Sequence, residues 1–109
     1  MEPVRVLGDR DTVLAFTLGG VPGRVVQTAD EARAAVDAAV REVRDGGGSV
    51  HRPLLLLITE PTAERIRDYL DHLVLQANGP LVLEIPGFGA GKGQRQAERF
   101  VRRVLGISP

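Results

Sequence analysis

Few residues in this chain are spaced to do chemistry. Pro86-Gly-Phe-Gly-Ala-Gly-Lys-Gly93 comes nearest to a phosphate-binding loop, in which glycine amides wrap an anion and a lysine neutralises it. It follows an apolar strand pattern and precedes a helical one, the setting such a loop requires. The pattern is incomplete, because Pro86 stands where a glycine is needed five residues before Gly91, and Gly93 stands where a serine or threonine should follow Lys92. No hydroxyl is left for magnesium, and the segment reads as a surface loop. His51 and His72 are the only histidines, one in a glycine-rich connection and one on the polar face of a helix. Neither belongs to a cluster with metal-ligand spacing. Cysteine is absent, which excludes disulfides and thiolate zinc sites. The expectation is a protein without catalytic residues, cofactor or metal.

The elements that would position any site alternate in type. Val4 to Leu7 reads as a strand. Gly8, Asp9 and Arg10 form a turn, and Asp11 is placed to cap a short helix ending at Leu18 before Gly19-Gly20. A second strand is expected from Arg24 to Gln27. Thr28 or Asp30 then caps a long helix whose Ala32, Ala35, Val36, Ala39, Val40 and Val43 share one face. Gly46-Gly47-Gly48-Ser49 breaks it and opens a long connection through Arg52. Leu54 to Ile58 is apolar without alternation, as in a parallel strand covered on both faces. One helix is expected after Thr59-Glu60-Pro61, with Ala63, Ile66, Leu70, Leu73 and Val74 buried and Leu75 exposed. Leu81 to Ile85 forms the fourth strand. In the last element, Gln94 to Leu105, Ala97, Phe100, Val101, Val104 and Leu105 lie opposite Arg95, Arg99, Arg102 and Arg103.

This alternation predicts an α/β fold with a small four-stranded parallel sheet, order 2-1-3-4 by analogy with flavodoxin-like and Rossmann-like folds, and a separable C-terminal helix. Arg5 inside a central strand strains that picture unless it sits at the strand's entrance. Residues 1–86 make the domain, 87–93 a glycine-rich loop, and 94–109 the C-terminal helix and tail. Fourteen basic and fourteen acidic residues cancel, so no global field draws the chain to nucleic acid or anionic lipid. No apolar run approaches the ~20 residues that span a bilayer, and the first residues lack a secretory pattern. A soluble, cytoplasmic protein is the expectation. The arginine face of the last helix offers a docking surface for an acidic helix, with Phe100, Val104 and Leu105 as anchors. Asp9 and Asp11 partly resemble the acidic pair of receiver domains. Thr59-Glu60 ends the third strand where an acceptor aspartate belongs, and Glu84-Ile85-Pro86 stands where a lysine belongs. The alternative reading is therefore a receiver-like signalling or protein-interaction domain lacking phospho-acceptor chemistry.

Three segments taken together carry a family likeness: Val6-Leu-Gly-Asp-Arg-Asp-Thr-Val-Leu-Ala-Phe-Thr-Leu-Gly-Gly-Val21, Leu56-Leu-Ile-Thr-Glu60 and Leu83-Glu-Ile-Pro86. In order and spacing the chain resembles the F subunits of the A-type/V-type ATP synthases. The acidic turn followed by Thr-Val, an aromatic residue and Leu-Gly-Gly is the most specific piece. The resemblance implies a non-catalytic central-stalk component bound to the coiled-coil D subunit of the stalk, and through it to the catalytic head and the membrane rotor. It also implies a location peripheral to the membrane, and assigns Gln94 to Leu105 to the family's separable helix.

Overall fold

The computed structural model describes residues 3–46, 53–76, 79–87 and 103, without the side chains of 44–46. Its elements run β1 (Val4–Gly8), α1 (Arg10–Leu18), β2 (Gly23–Val25), α2 (Ala29–Gly46), β3 (Leu55–Thr59), α3 (Glu60–Arg65), α4 (Arg67–Val74) and β4 (Leu81–Ile85). The strands form one parallel sheet in the order β2-β1-β3-β4. Val6 is in register with Leu57, and Leu57 with Leu83.

Each face of the sheet has its own apolar cluster. Val6, Leu57 and Ile85 pack with Val13 and Phe16 of α1 on one side. On the other, Leu7, Leu56 and Ile58 meet Ala32, Ala35 and Val36 of α2 and Ala63, Ile66, Leu70 and Leu73 beyond β3. The small residues of α2 let its backbone lie close to the sheet. The unbroken apolar run of β3 is explained by burial on both faces.

Local chemistry sets the helix ends. Thr28 and Glu31 form a reciprocal capping box: the Glu31 amide donates to Thr28 Oγ1 at 3.1 Å and the Thr28 amide to Glu31 Oε1 at 3.1 Å. Thr28, not Asp30, is therefore the cap of α2. After α1 the Gly20 amide donates to the Thr17 carbonyl and the Val21 amide to that of Phe16, closing the helix with Gly20 at φ +97°. Such a termination needs a residue that tolerates the left-handed region, and glycine does.

Three expectations are corrected. The cap of α1 is Asp9, whose carboxylate accepts from the Thr12 amide at 3.1 Å. The helix begins at Arg10, which places Asp11 in the first turn. The single helix expected after Pro61 is two, because Ile66 leaves helical geometry at φ −126°, ψ 32°. That break resets the register, so Ile66, Leu70 and Leu73 stay buried while Val74 is 48% exposed. The second strand is Gly23–Val25, shifted toward the chain start from the expected Arg24 to Gln27. Arg5 fits its central strand by reaching the edge of the sheet, where its guanidinium pairs with Glu42 of α2 at 3.6 Å and donates to the Val4 carbonyl at 2.9 Å.

Candidate functional site

In an open α/β sheet the crevice at the carboxyl ends of the strands, where the order reverses, is the usual ligand site. Here it lies between β1 and β3, since α1 covers one face and α3 begins on the other. Asp9 stands at its mouth, but both its oxygens are engaged by Thr12: Oδ2 accepts from the amide, and Oδ1 from the hydroxyl at 2.7 Å. Thr59 is buried, and its hydroxyl donates to Thr62 Oγ1 at 2.8 Å. Gly8 leaves no spare room either, because a Cβ there would sit 2.3 Å from Thr59 Cγ2. The crevice is thus filled by its own threonines. A receiver-like reaction would need an acceptor carboxylate at the end of β3, and a packed hydroxyl occupies that place.

The other chemistry-bearing groups are dispersed. His72 is exposed on α4, and no group of three or more potential metal-ligating side chains occurs among the described residues. His51 and Lys92 lie outside the described residues. A shallow hollow of about 180 Å³ between the β2 edge and α2 is floored by Leu7, Ala35 and Ala39 and rimmed by Arg5, Arg24 and Glu42. It falls below the ~300 Å³ at which small-molecule pockets begin.

Two polar contacts missed by sequence reasoning tie elements together. Arg67 of α4 pairs with both oxygens of Glu84 on β4, at 2.5 and 2.8 Å, and with Glu64 at 2.5 Å. The hydrogen bonds from Arg67 hold the Glu84 carboxyl below its ordinary range, and the two carboxylates raise the arginine in turn. Tyr69 of α4 donates to Asp37 of α2. Residues distant in sequence make both contacts, so no spacing pattern announces them.

Of the residues proposed for partner binding, Arg95, Arg99, Phe100, Arg102, Val104 and Leu105 lie outside the described residues. Arg103 is helical and exposed. What the described surface adds is apolar: Leu14, Leu18, Val25, Leu81 and Leu83 are exposed, as are Val74 and Leu75 at the end of α4. The exposure of Leu75 agrees with its expected place off the buried stripe. Leu81 and Leu83 carried a signal, since three helical crossovers among four strands leave the last strand half covered.

Against known proteins, the family model of the ATP synthase (F/14-kDa) subunit matches residues 4–104. The chain is 32% identical over 108 residues to the A-type ATP synthase F subunit of Methanothermobacter thermautotrophicus, covering 95% of this chain and 92% of that protein. It is 34% identical over 110 residues to the A-type ATP synthase F subunit of Pyrococcus abyssi, covering 95% and 94%. The protein of that name from Pyrococcus furiosus is 34% identical over 108 residues, covering 94% and 92%.

Proposed function

The chain belongs to the family of the ATP synthase (F/14-kDa) subunit, and from that premise we propose that it is a non-catalytic central-stalk component of a rotary A/V-type ATP synthase. It grips the coiled-coil D subunit, turns with it, and so helps couple ATP synthesis or hydrolysis to ion transport. Nucleotide chemistry belongs to other subunits. The protein works in the cytoplasm, peripheral to the membrane, linked through the coiled coil to the catalytic head and the membrane rotor. Among the described residues no helix is long and apolar enough to cross a membrane.

The observation that carries this reading is the extent of the likeness, which runs over nearly the whole chain and nearly the whole of each relative. A stiff domain with a filled crevice suits the role, because a torque-bearing joint needs durable contacts more than a pocket with tuned acids. Residues 94–105 contribute to the grip, with Phe100, Val104 and Leu105 as apolar anchors and Arg95, Arg99, Arg102 and Arg103 as the charged face.

Co-expression with the coiled-coil D subunit of the same source, followed by size-exclusion chromatography, tests the proposal. One co-eluting complex is the expected result, and two separate monomer peaks overturn it. Phe100→Ala combined with Val104→Ala should weaken that complex; unchanged affinity removes the helix from the interface.

A further inference from the structure

The sheet ends at β2 in an edge that no described strand covers. The Val6 amide donates to the Pro22 carbonyl at 3.1 Å and the Val26 amide to the Gly8 carbonyl at 3.0 Å, with Val6 in register with Gly23, Leu7 with Arg24 and Gly8 with Val25. That register commits both backbone groups of Arg24 to β1. Gly23 and Val25, on either side of it, turn their N–H and C=O groups outward, and no described residue pairs with them. The Gln27 amide closes the edge by donating to Glu31 Oε1 at 3.2 Å. The outward groups of Gly23 and Val25 are a template for one more strand.

Side chains give this edge a charge. Leu7 belongs to the cluster beneath α2, so Arg24, beside it in register, and Arg5, two residues earlier, lie on that same face. Both rim the hollow of about 180 Å³ floored by Leu7, Ala35 and Ala39. Glu42 pairs with Arg5 at 3.6 Å, whereas no described acid pairs with the exposed Arg24. The rim thus sets two arginines against one glutamate. On the opposite face of the strand Val25 is 40% exposed.

We propose that the β2 edge takes up an extended segment of a partner protein as an added strand, with a glutamate or aspartate opposite Arg24 and apolar residues at the two flanking positions. Backbone hydrogen bonds to Gly23 and Val25 hold it. The residue opposite Arg24 shares its face, so the acid's methylene stem lies over the hollow and its carboxylate meets the guanidinium. The flanking residues fall on the other face, beside Val25. A second copy of this chain is the rival occupant. In an antiparallel pair, using the outward groups of both Gly23 and Val25 sets each Gly23 opposite the copy's Val25 and hence Arg24 opposite Arg24. Like charges directly opposite destabilise a sheet. Arg24 therefore repels a copy and admits an acid. This surface goes beyond the stalk role, since it uses neither the coiled coil nor residues 94–105.

The probe is the peptide acetyl-Thr-Val-Glu-Val-Thr-amide, titrated into the isotope-labelled full-length chain and followed by amide resonances. Those of Gly23 and Val25 should shift and gain protection from exchange. The same peptide with lysine in place of glutamate should bind at least about fivefold more weakly, and Arg24→Glu should reverse that order. Val25→Pro removes one outward donor while leaving the bonds to β1, so it should abolish binding of the glutamate peptide. Methylating the three central amide nitrogens of the peptide should do the same with the protein unaltered. No response at Gly23 and Val25, equal binding of the two peptides, or binding that survives methylation overturns the proposal. Protection of those two amides before peptide is added overturns it too, because the edge is then already occupied by the chain itself or by a copy. No coiled-coil partner is present, so the outcome is separate from that of the co-elution test.

Discussion

Tyr69 is the only tyrosine and the chain has no tryptophan, so phenolate absorbance reports on one side chain. Burial of the ring, reinforced by the hydrogen bond to Asp37, pushes its hydroxyl up to about 12. The folded value is above the unfolded value of about 10, so the neutral phenol is the favoured form in the native state. Its contribution to stability is complete below about pH 10 and is lost as pH rises through about 12. A spectrophotometric titration of the native protein should therefore show a midpoint near 12. Asp37→Asn should lower it only in part, because burial is the larger cause. A native midpoint at the unfolded value would contradict the packing of α2 against α4. Arg67 with Glu84 shows the same lesson for β4: residues seventeen apart in sequence meet only once the sheet is built.

At the scale of elements, α2 offers the sharpest test of how the layers pack. Ala32 is fully buried against the sheet, and Ala34, two positions on, is exposed. Ala32→Leu should destabilise the fold by about 1–3 kcal/mol through overpacking, and Ala34→Leu should lie within about 0.5 kcal/mol of the parent, both read from urea unfolding midpoints. Equal effects would place α2 at the wrong rotation. Much at this scale was legible in advance. Apolar continuity marked β3 as central, the alanine stripe gave the buried face of α2, and Leu81 to Ile85 matched β4 residue for residue. The misses were local. Asp9 and Asp11 are both good caps, and a pattern that repeats every few residues cannot place a boundary to a single position. The break at Ile66 adds no glycine or proline to betray it; it is a change of two backbone angles that keeps Ile66 buried.

At the scale of the molecule, a filled crevice and exposed apolar side chains suit the proposed role of a part held by neighbours. Moving one charge through 100 mV stores roughly 2.3 kcal/mol, and a joint that slips loses that energy. The coiled-coil D subunit, as the proposed partner, should raise the thermal midpoint of this chain with its concentration, by the equivalent of about 2.7 kcal/mol at one hundred times the dissociation constant. ATP with magnesium should leave the midpoint where it is. A nucleotide-dependent shift with no response to the coiled coil would reverse the functional reading.

Residue order alone was enough for the parallel α/β class, because that follows from where apolar residues repeat and where turns interrupt them; the strand order came by analogy with flavodoxin-like folds and the family by the likeness of three motifs. For the candidate site the sequence offered only expected absences and an expected amphipathic helix over residues 94–105, nearly all of which lie outside the described residues. That Asp9 is consumed as a cap, that Thr59 and Thr62 plug the crevice, and that Leu81 and Leu83 stand uncovered beside α1 required the folded arrangement. Occupancy of a crevice and coverage of a face depend on which distant residues arrive there, and no spacing along a single chain encodes that.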